Sequence, residues 1–102
     1  MRLTDFEKNF IVETFKMFSS HNTKIYLFGS RADDSKKGGD IDLLIVFVNS
    51  ELKSSFKNLD FIIQLKKKIG ERKVDTTLAT ADELKNDIFL LSIIDSAVEL
   101  VA

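Results

Sequence analysis

Residues 26–47 read YLFGSRADDSKKGGDIDLLIVF, and this stretch decides how the rest of the chain is arranged. Both ends are rich in aromatic and β-branched residues, whereas the middle is polar and holds two adjacent glycines. We therefore predict a strand over residues 24–28, a loop over residues 30–39 and a second strand over residues 40–48. The second strand is almost continuously apolar after its first acid, which is typical of a central strand covered on both faces.

A helix is predicted on each side of this pair of strands. Residues 4–20 carry one apolar helical stripe, with Thr4 as N-cap and Glu7 completing a capping box. Residues 51–69 are predicted to form a single helix that stops at Gly70. We expect one of the apolar rows of this second helix to consist of Leu52, Phe56, Leu59 and Ile63.

The C-terminal third of the sequence predicts a further strand, helix and strand. The strand covers residues 73–78, and Thr80 caps the helix that follows, with Glu83 three positions later. Its buried side is predicted to be Leu84, Ile88, Leu91 and Ile94. Residues 96–102, SAVELVA, alternate enough to predict a short closing strand. The fold class is therefore α+β, a small mixed β-sheet with helices packed against it, in a single domain over residues 1–102.

Composition excludes several classes of protein. The chain has 15 Lys and Arg against 16 Asp and Glu, so we expect no direct contact with nucleic acid through bulk positive charge. No cysteine is present, which excludes a disulfide scaffold, a zinc ribbon and a thiol nucleophile. The longest apolar run, residues 43–48, is far shorter than the ~20 residues that cross a bilayer. We therefore expect a cytoplasmic protein without a membrane partner.

Asp40 and Asp42 are the first candidate functional residues. Side chains two positions apart on a strand point to the same face, so the two carboxylates should lie side by side. Like charges at this spacing oppose each other's ionisation, and a cation between them would relieve the repulsion. Oxygen donors without His or Cys suit Mg²⁺ or Mn²⁺ rather than zinc. The alternative is an acidic strand end that faces water and prevents edge pairing.

Gly29 and Ser30 end the first strand, and Arg31 follows them. A glycine here allows a sharp turn and a close approach of the backbone to a ligand. Ser30 adds a hydroxyl donor, and Arg31 adds a cation that can pair with phosphate oxygens. An ordinary turn is the alternative for Gly29 and Ser30 taken alone. Next to Asp40 and Asp42, they predict a site for a nucleoside triphosphate with Mg²⁺.

Asp75 is the third candidate carboxylate. It lies within a β-prone run, KVDTTLA, where aspartate is disfavoured. An exposed strand position would explain it equally well. If the third strand neighbours the second, however, Asp75 would join Asp40 and Asp42 in a three-carboxylate site of the kind that serves two-metal phosphoryl transfer.

These motifs resemble the minimal nucleotidyltransferases (MNT domains) of the DNA polymerase beta superfamily. The matching features are GSRA at residues 29–32, DID at residues 40–42 and Asp75 on a later strand. Nine residues separate Ser30 from Asp40, slightly fewer than the family's usual ten or so. The resemblance covers nearly the whole chain, and it implies the family's nucleotidyltransferase-like fold. Family members of this length are similar to the MntA-type antitoxins of HEPN/MNT toxin–antitoxin pairs.

The resemblance implies a role for each motif residue. Gly29 and Ser30 would bind the triphosphate of ATP, and Arg31 would neutralise phosphate. Asp40 and Asp42 would hold two Mg²⁺ ions, and Asp75 would bind the catalytic ion and act as the base. AMP would pass from ATP to a tyrosine hydroxyl of a HEPN toxin, a helical ribonuclease, and silence it.

Two other functions stay open at this stage. The chain would neutralise a toxin by steric occlusion if it bound its partner without catalysis, or it would act as a nucleotide sensor if it bound ATP without transfer. With 102 residues, we expect the acceptor to come from another chain, and a homodimer or a heteromeric complex would both be compatible with the sequence.

Overall fold

A computed structural model describes residues 3–20, 22–29, 40–70 and 73–101. In these residues the strands are β1 (Lys24–Phe28), β2 (Ile41–Phe47), β3 (Val74–Thr80) and β4 (Val98–Glu99). The helices are α1 (Asp5–Phe18), α2 (Ser50–Ser55), α3 (Asn58–Ile69), α4 (Ala81–Asn86) and α5 (Ile88–Ser96). No helix in the described ranges is both long and apolar enough to span a membrane.

The four strands form one mixed sheet in the order β3-β2-β1-β4. β1 is antiparallel to both β2 and β4, whereas β2 and β3 are parallel. The parallel pair is possible because α2 and α3 carry the chain from the end of β2 back to the start of β3. The predicted α+β class is therefore confirmed, and so is the short closing strand at β4.

β2 has helices on both sides, as its apolar run predicts. Alternate residues of β2 pack into a core with α1 and α3, and each of them is at most 2% exposed: Ile41, Leu43, Ile45 and Phe47. On the other face Leu44 is fully buried in a second, smaller cluster with Leu90 and Ile93 of α5. The face that carries α1 and α3 holds the larger core, and the face that carries α5 is only partly covered.

The first helix begins as its sequence predicts. The Thr4 hydroxyl accepts a hydrogen bond from the Glu7 N–H at 3.0 Å, and the Glu7 carboxylate accepts one from the Thr4 N–H at 3.0 Å. This reciprocal pair satisfies two backbone donors that the first turn leaves unpaired. The predicted capping box is confirmed, and the helix ends two residues before the predicted end, at Phe18.

The predicted single helix over residues 51–69 is wrong, because the chain leaves helical geometry at Phe56. This residue has extended backbone angles and ends α2. Its side chain is buried between Phe47 and Phe61, with ring centroids 5.3 and 5.6 Å away. In a continuous helix the Phe56 ring would not lie between these two rings. The packing of Phe56 in the core therefore outweighs the helical pattern of the sequence. Leu59 and Ile63, placed in one apolar row with Phe56 by the sequence, are 70% and 45% exposed.

The predicted helix after Thr80 is also two helices. Thr80 and Glu83 form the expected capping box, but α4 stops after six residues. Asp87 then caps α5 by accepting hydrogen bonds from the Phe89 and Leu90 N–H groups. The break rotates the apolar stripe, so the predicted burial of Ile88 and Leu91 is wrong. The buried residues of α5 are Leu90 and Ile93.

We expect Phe61→Ala to lower the free energy of unfolding by about 3–5 kcal/mol, because it empties the centre of the larger core. Phe61 is fully buried, and its ring meets those of Phe15, Phe18 and Phe56 at centroid distances of 6.2, 6.1 and 5.6 Å. Urea unfolding followed by circular dichroism measures the change. Leu59→Ala on the same helix is the matched control, and we expect it to stay within about 0.5 kcal/mol of the parent.

Candidate active site

Three strand ends meet at one edge of the structure. β1 finishes at Phe28, which lies opposite Asp42 in the antiparallel pair, and Gly29 follows immediately. β3 starts beside the beginning of β2, with Asp75 as the register partner of Asp42. Paired residues in a sheet share a face, so Asp42 and Asp75 project on the same side. Asp42 therefore lies between Gly29 on one neighbouring strand and Asp75 on the other.

Gly29 lies so close to Asp42 that a side chain at position 29 would force the Asp42 carboxylate to move. A Cβ atom at position 29 would lie 2.5 Å from Oδ2 of Asp42, far inside van der Waals contact. The backbone of Gly29 also has φ +75°, a conformation that residues with a side chain rarely adopt. The structure thus brings Gly29 close to a carboxylate, whereas the predicted approach of its backbone to a phosphate stays a prediction.

Asp42 is the electrostatic centre of the site. Partial burial raises the pKa of its carboxyl group, and the negative charges of Asp75 and Asp40 raise the pKa further. The positive charge of Lys73 acts in the opposite direction. Asp40, exposed just before β2, and Asp75 on β3 are thus both near enough to affect Asp42. Asp42 and Asp75 are thus paired across the two parallel strands, and Asp40 lies two residues before Asp42.

Lys73 belongs to this group, although the sequence analysis did not single it out. Its Nζ lies 3.7 Å from Oδ2 of Asp75, and the two side chains are 65% and 50% exposed. The sequence does hold a signal for it, because Lys73 stands two positions before Asp75 and alternation places both on one face of the strand. The backbone C=O of Lys73 accepts a hydrogen bond from the Ile41 N–H at 2.9 Å, which joins the starts of β3 and β2.

The carboxylates of this site suit a divalent cation that takes only some of its ligands from the protein. Within the described stretches, no three Asp, Glu, His or Cys side chains are grouped so that they would enclose a metal ion. Asp42 and Asp75 are nevertheless adjacent oxygen donors whose repulsion a cation would relieve. Mg²⁺ commonly takes one or two carboxylates and completes its shell with water and substrate phosphates. Ser30 and Arg31, predicted to bind those phosphates, lie outside the described residues.

A cavity of about 380 Å³ lies elsewhere, between α1, the start of β1 and residues 99–101. Its lining includes Lys16 and Lys24, which come from separate elements. β1 runs from Lys24 at this cavity to Phe28 at the carboxylates, so the two features lie at opposite ends of the strand. The cavity lacks the clustered carboxylates, and we therefore place the chemistry at Asp42 and Asp75.

Gly29→Ala should destabilise the protein more than Gly70→Ala does. Both glycines have positive φ, and Gly70 also has ψ −152°, so each substitution carries backbone strain of about 1–3 kcal/mol. A Cβ at Gly70 meets nothing within 4 Å, whereas at Gly29 it overlaps the Asp42 carboxylate. Urea unfolding of both variants measures the difference. The extra loss at Gly29 should shrink in an Asp42→Ala background, and equal losses for the two glycines would contradict the close contact.

Asp42→Asn should raise the free energy of unfolding of the metal-free protein at neutral pH. The folded-state pKa of Asp42 lies above its unfolded value, so the folded protein binds the extra proton more tightly. The stability gained from this tighter proton binding is fully present below pH ~3.8. It is lost as the pH rises through the raised pKa of folded Asp42. Asparagine stays neutral and avoids that loss. Denaturant titrations in EDTA between pH 4 and 8 should show a flatter stability profile for the variant.

The control for this change is Asp60→Asn, which has the same chemistry at an exposed position in the first turn of α3. An aspartate there interacts favourably with the helix N-terminus, so its loss should destabilise by roughly 0.3–1 kcal/mol. Opposite signs for the two variants are therefore expected. A loss of stability for Asp42→Asn at neutral pH would contradict the electrostatic picture of the site.

Comparison with known proteins agrees with the chemistry of these strand ends. No curated protein matches the chain significantly. The model of the nucleotidyltransferase domain family, however, matches residues 9–100, which include all four strands, β1 to β4. Such domains generally use a nucleoside triphosphate and a divalent metal ion. The chain therefore belongs to the nucleotidyltransferase domain family, and its general function is nucleotidyl transfer.

Proposed function

We propose that the protein is a Mg²⁺-dependent adenylyltransferase that moves AMP from ATP to a tyrosine hydroxyl of a HEPN-type helical toxin, and so acts as an antitoxin. The observation that carries the chemistry is the placement of Asp42 between Gly29 and Asp75 in a chain of the nucleotidyltransferase family. The toxin partner is supported by the resemblance of GSRA and DID in this sequence to the MntA-type antitoxins.

Asp42 and Asp75, together with Asp40, would hold Mg²⁺ or Mn²⁺, and the bound cation would supply the positive charge that offsets both the carboxylates and the triphosphate. Gly29 leaves the end of β1 free of any side chain, so backbone and phosphate can approach closely. Ser30 and Arg31 follow in sequence and would bind the phosphates. Positioning and charge neutralisation then account for most of the catalysis.

Asp75 is suited to receive the proton of the acceptor. β3 is an edge strand, and the Asp75 side chain is half exposed, so a hydroxyl from another molecule can reach it. As the acceptor oxygen bonds to the α-phosphorus, the bond to the leaving oxygen breaks and pyrophosphate departs. The hydroxyl proton passes to the Asp75 carboxylate, so charge and atoms balance.

A protein acceptor is supported by an exposed apolar surface on the same face of the sheet as Asp42. α5 covers the sheet face from which Asp42 projects, because Leu44, two residues along β2, packs against Leu90 and Ile93. The outer side of α5 exposes Ile88 and Phe89 at 86% and 64%. Two adjacent exposed apolar side chains would suit a contact with another protein.

Neutralisation by occlusion is the second candidate, and the same exposed side of α5 favours it. A protein that only needs to cover a toxin would use Ile88 and Phe89 and would not need Asp42. Substituting the carboxylates distinguishes the two functions. The double variant with Asp40→Asn and Asp42→Asn should still neutralise the toxin if the protein acts by occlusion, and should fail to do so if it acts by transfer. A nucleotide sensor would bind ATP and leave every partner unmodified.

The decisive experiment is mass spectrometry of a helical partner encoded beside this protein, after incubation with the protein, ATP and Mg²⁺. We expect the partner to gain the mass of AMP on a tyrosine. Asp42→Asn should slow the transfer at least about 100-fold, a size typical of removing one charged group that stabilises the transition state. Asp60→Asn, on the opposite sheet face, should transfer at the parental rate.

Neutralisation of the toxin in cells provides the second measurement. Two results together would contradict transfer and support occlusion. The double variant with Asp40→Asn and Asp42→Asn would protect the cells fully, and the parental protein would add no AMP to the partner. Loss of protection in step with loss of AMP would support transfer.

A further inference from the structure

Lys73 holds an unusual position in the candidate site. Its backbone is fixed, because its C=O accepts the Ile41 N–H at 2.9 Å where β3 begins beside β2. Its side chain is 65% exposed and reaches to 3.7 Å from Oδ2 of Asp75. A long, flexible stem therefore starts at a rigid point and carries an ammonium group beside the carboxylates.

The charges around Lys73 are unbalanced. Asp40, Asp42 and Asp75 supply three carboxylates, and Lys73 is the cation that acts on Asp42 among the residues the structure describes. One ammonium group cannot offset three carboxylates, so the described part of the site carries a net negative charge. Lys73 is the partial counter-ion of a site that attracts further cations.

The contact between Lys73 and Asp75 is easily broken. Both side chains are at least half exposed, and the 3.7 Å separation is longer than a charge-assisted hydrogen bond. Exposed ion pairs of this kind contribute only about 0–1 kcal/mol. A divalent cation on Asp75 would therefore release the ammonium group at little cost, and the nearest new anion would be the phosphate that shares the cation.

We infer that Lys73 is a counter-ion that changes partners: it pairs with Asp75 in the metal-free protein and with the triphosphate once Asp75 binds the divalent cation. This inference rests on the proposed function and extends it, because it gives one residue a role in both metal and nucleotide binding.

This arrangement has a consequence that a structural lysine would not produce. In the absence of nucleotide, Lys73 competes with the metal ion, so removing its charge should strengthen metal binding. In the presence of Mg²⁺, Lys73 attracts the triphosphate, so removing its charge should weaken nucleotide binding. The two affinities should move in opposite directions in a single variant.

The experiment compares Lys73→Met with Lys24→Met in the full chain. Lys24 is an exposed lysine at the far end of β1 from Phe28, so its loss changes net charge equally without touching the site. Mn²⁺ titration without nucleotide, followed by electron paramagnetic resonance, should give a Kd roughly two- to five-fold lower for Lys73→Met. Calorimetry with Mg²⁺ and a non-hydrolysable ATP analogue should give a Kd about three- to ten-fold higher. Lys24→Met should change neither of these two Kd values. Lys73→Arg keeps the positive charge, so both of its Kd values should stay close to those of the parental protein.

Asp42→Asn separates failure of this inference from failure of the proposed site. If Asp42→Asn abolishes Mn²⁺ binding while Lys73→Met changes neither affinity, the metal site stands and the role of Lys73 is wrong. Tighter Mn²⁺ binding with unchanged nucleotide binding would also overturn the inference, because Lys73 would then have one partner only. A parental protein that binds no Mn²⁺ would overturn both.

Discussion

The parallel pairing of β2 with β3 brings two carboxylates together that would repel each other in solution. The register sets Asp42 opposite Asp75, and a slip of one residue would turn Asp75 to the other face of the sheet. That face is the larger core, where Val74 is 5% exposed. Burying an apolar side chain contributes about 1.5–3 kcal/mol, more than the ~1 kcal/mol typical of an exposed charge pair. Apolar packing therefore fixes the register against the repulsion between the acids.

The repulsion is confined to one corner of the molecule. Gly29 permits this, because a side chain there would collide with the Asp42 carboxylate and displace it. Lys73 offsets part of the negative charge without entering the core, since its side chain remains mostly exposed. The result is a rigid backbone that carries partly exposed carboxylates, a combination in which relief of electrostatic repulsion on cation binding requires no refolding.

Much of this could be read from the sequence, because it depends on local rules. The β-prone runs, the caps at Thr4 and Thr80, and the shared face of Asp40 and Asp42 follow from neighbouring residues alone. The breaks at Phe56 and Asp87 could not be read in the same way. A ring buried between Phe47 and Phe61 ends one helix, and this contact exists only in the folded chain. The adjacency of β2 and β3 is likewise a property of the sheet, so Asp75 could be joined to Asp42 only conditionally.

The two faces of the sheet explain how a small domain tolerates such a site. On the side of α1 and α3, residues from β2 are buried completely, with several phenylalanine rings among them. On the side of α5, Leu44 is buried, whereas Asp42 and Val46 on either side of it are only partly covered. Stability thus comes mainly from one face, and the other is free to hold charge. Because Asp42 and the exposed side of α5 share that second face, a molecule bound to α5 would lie on the same side of the sheet as the carboxylates.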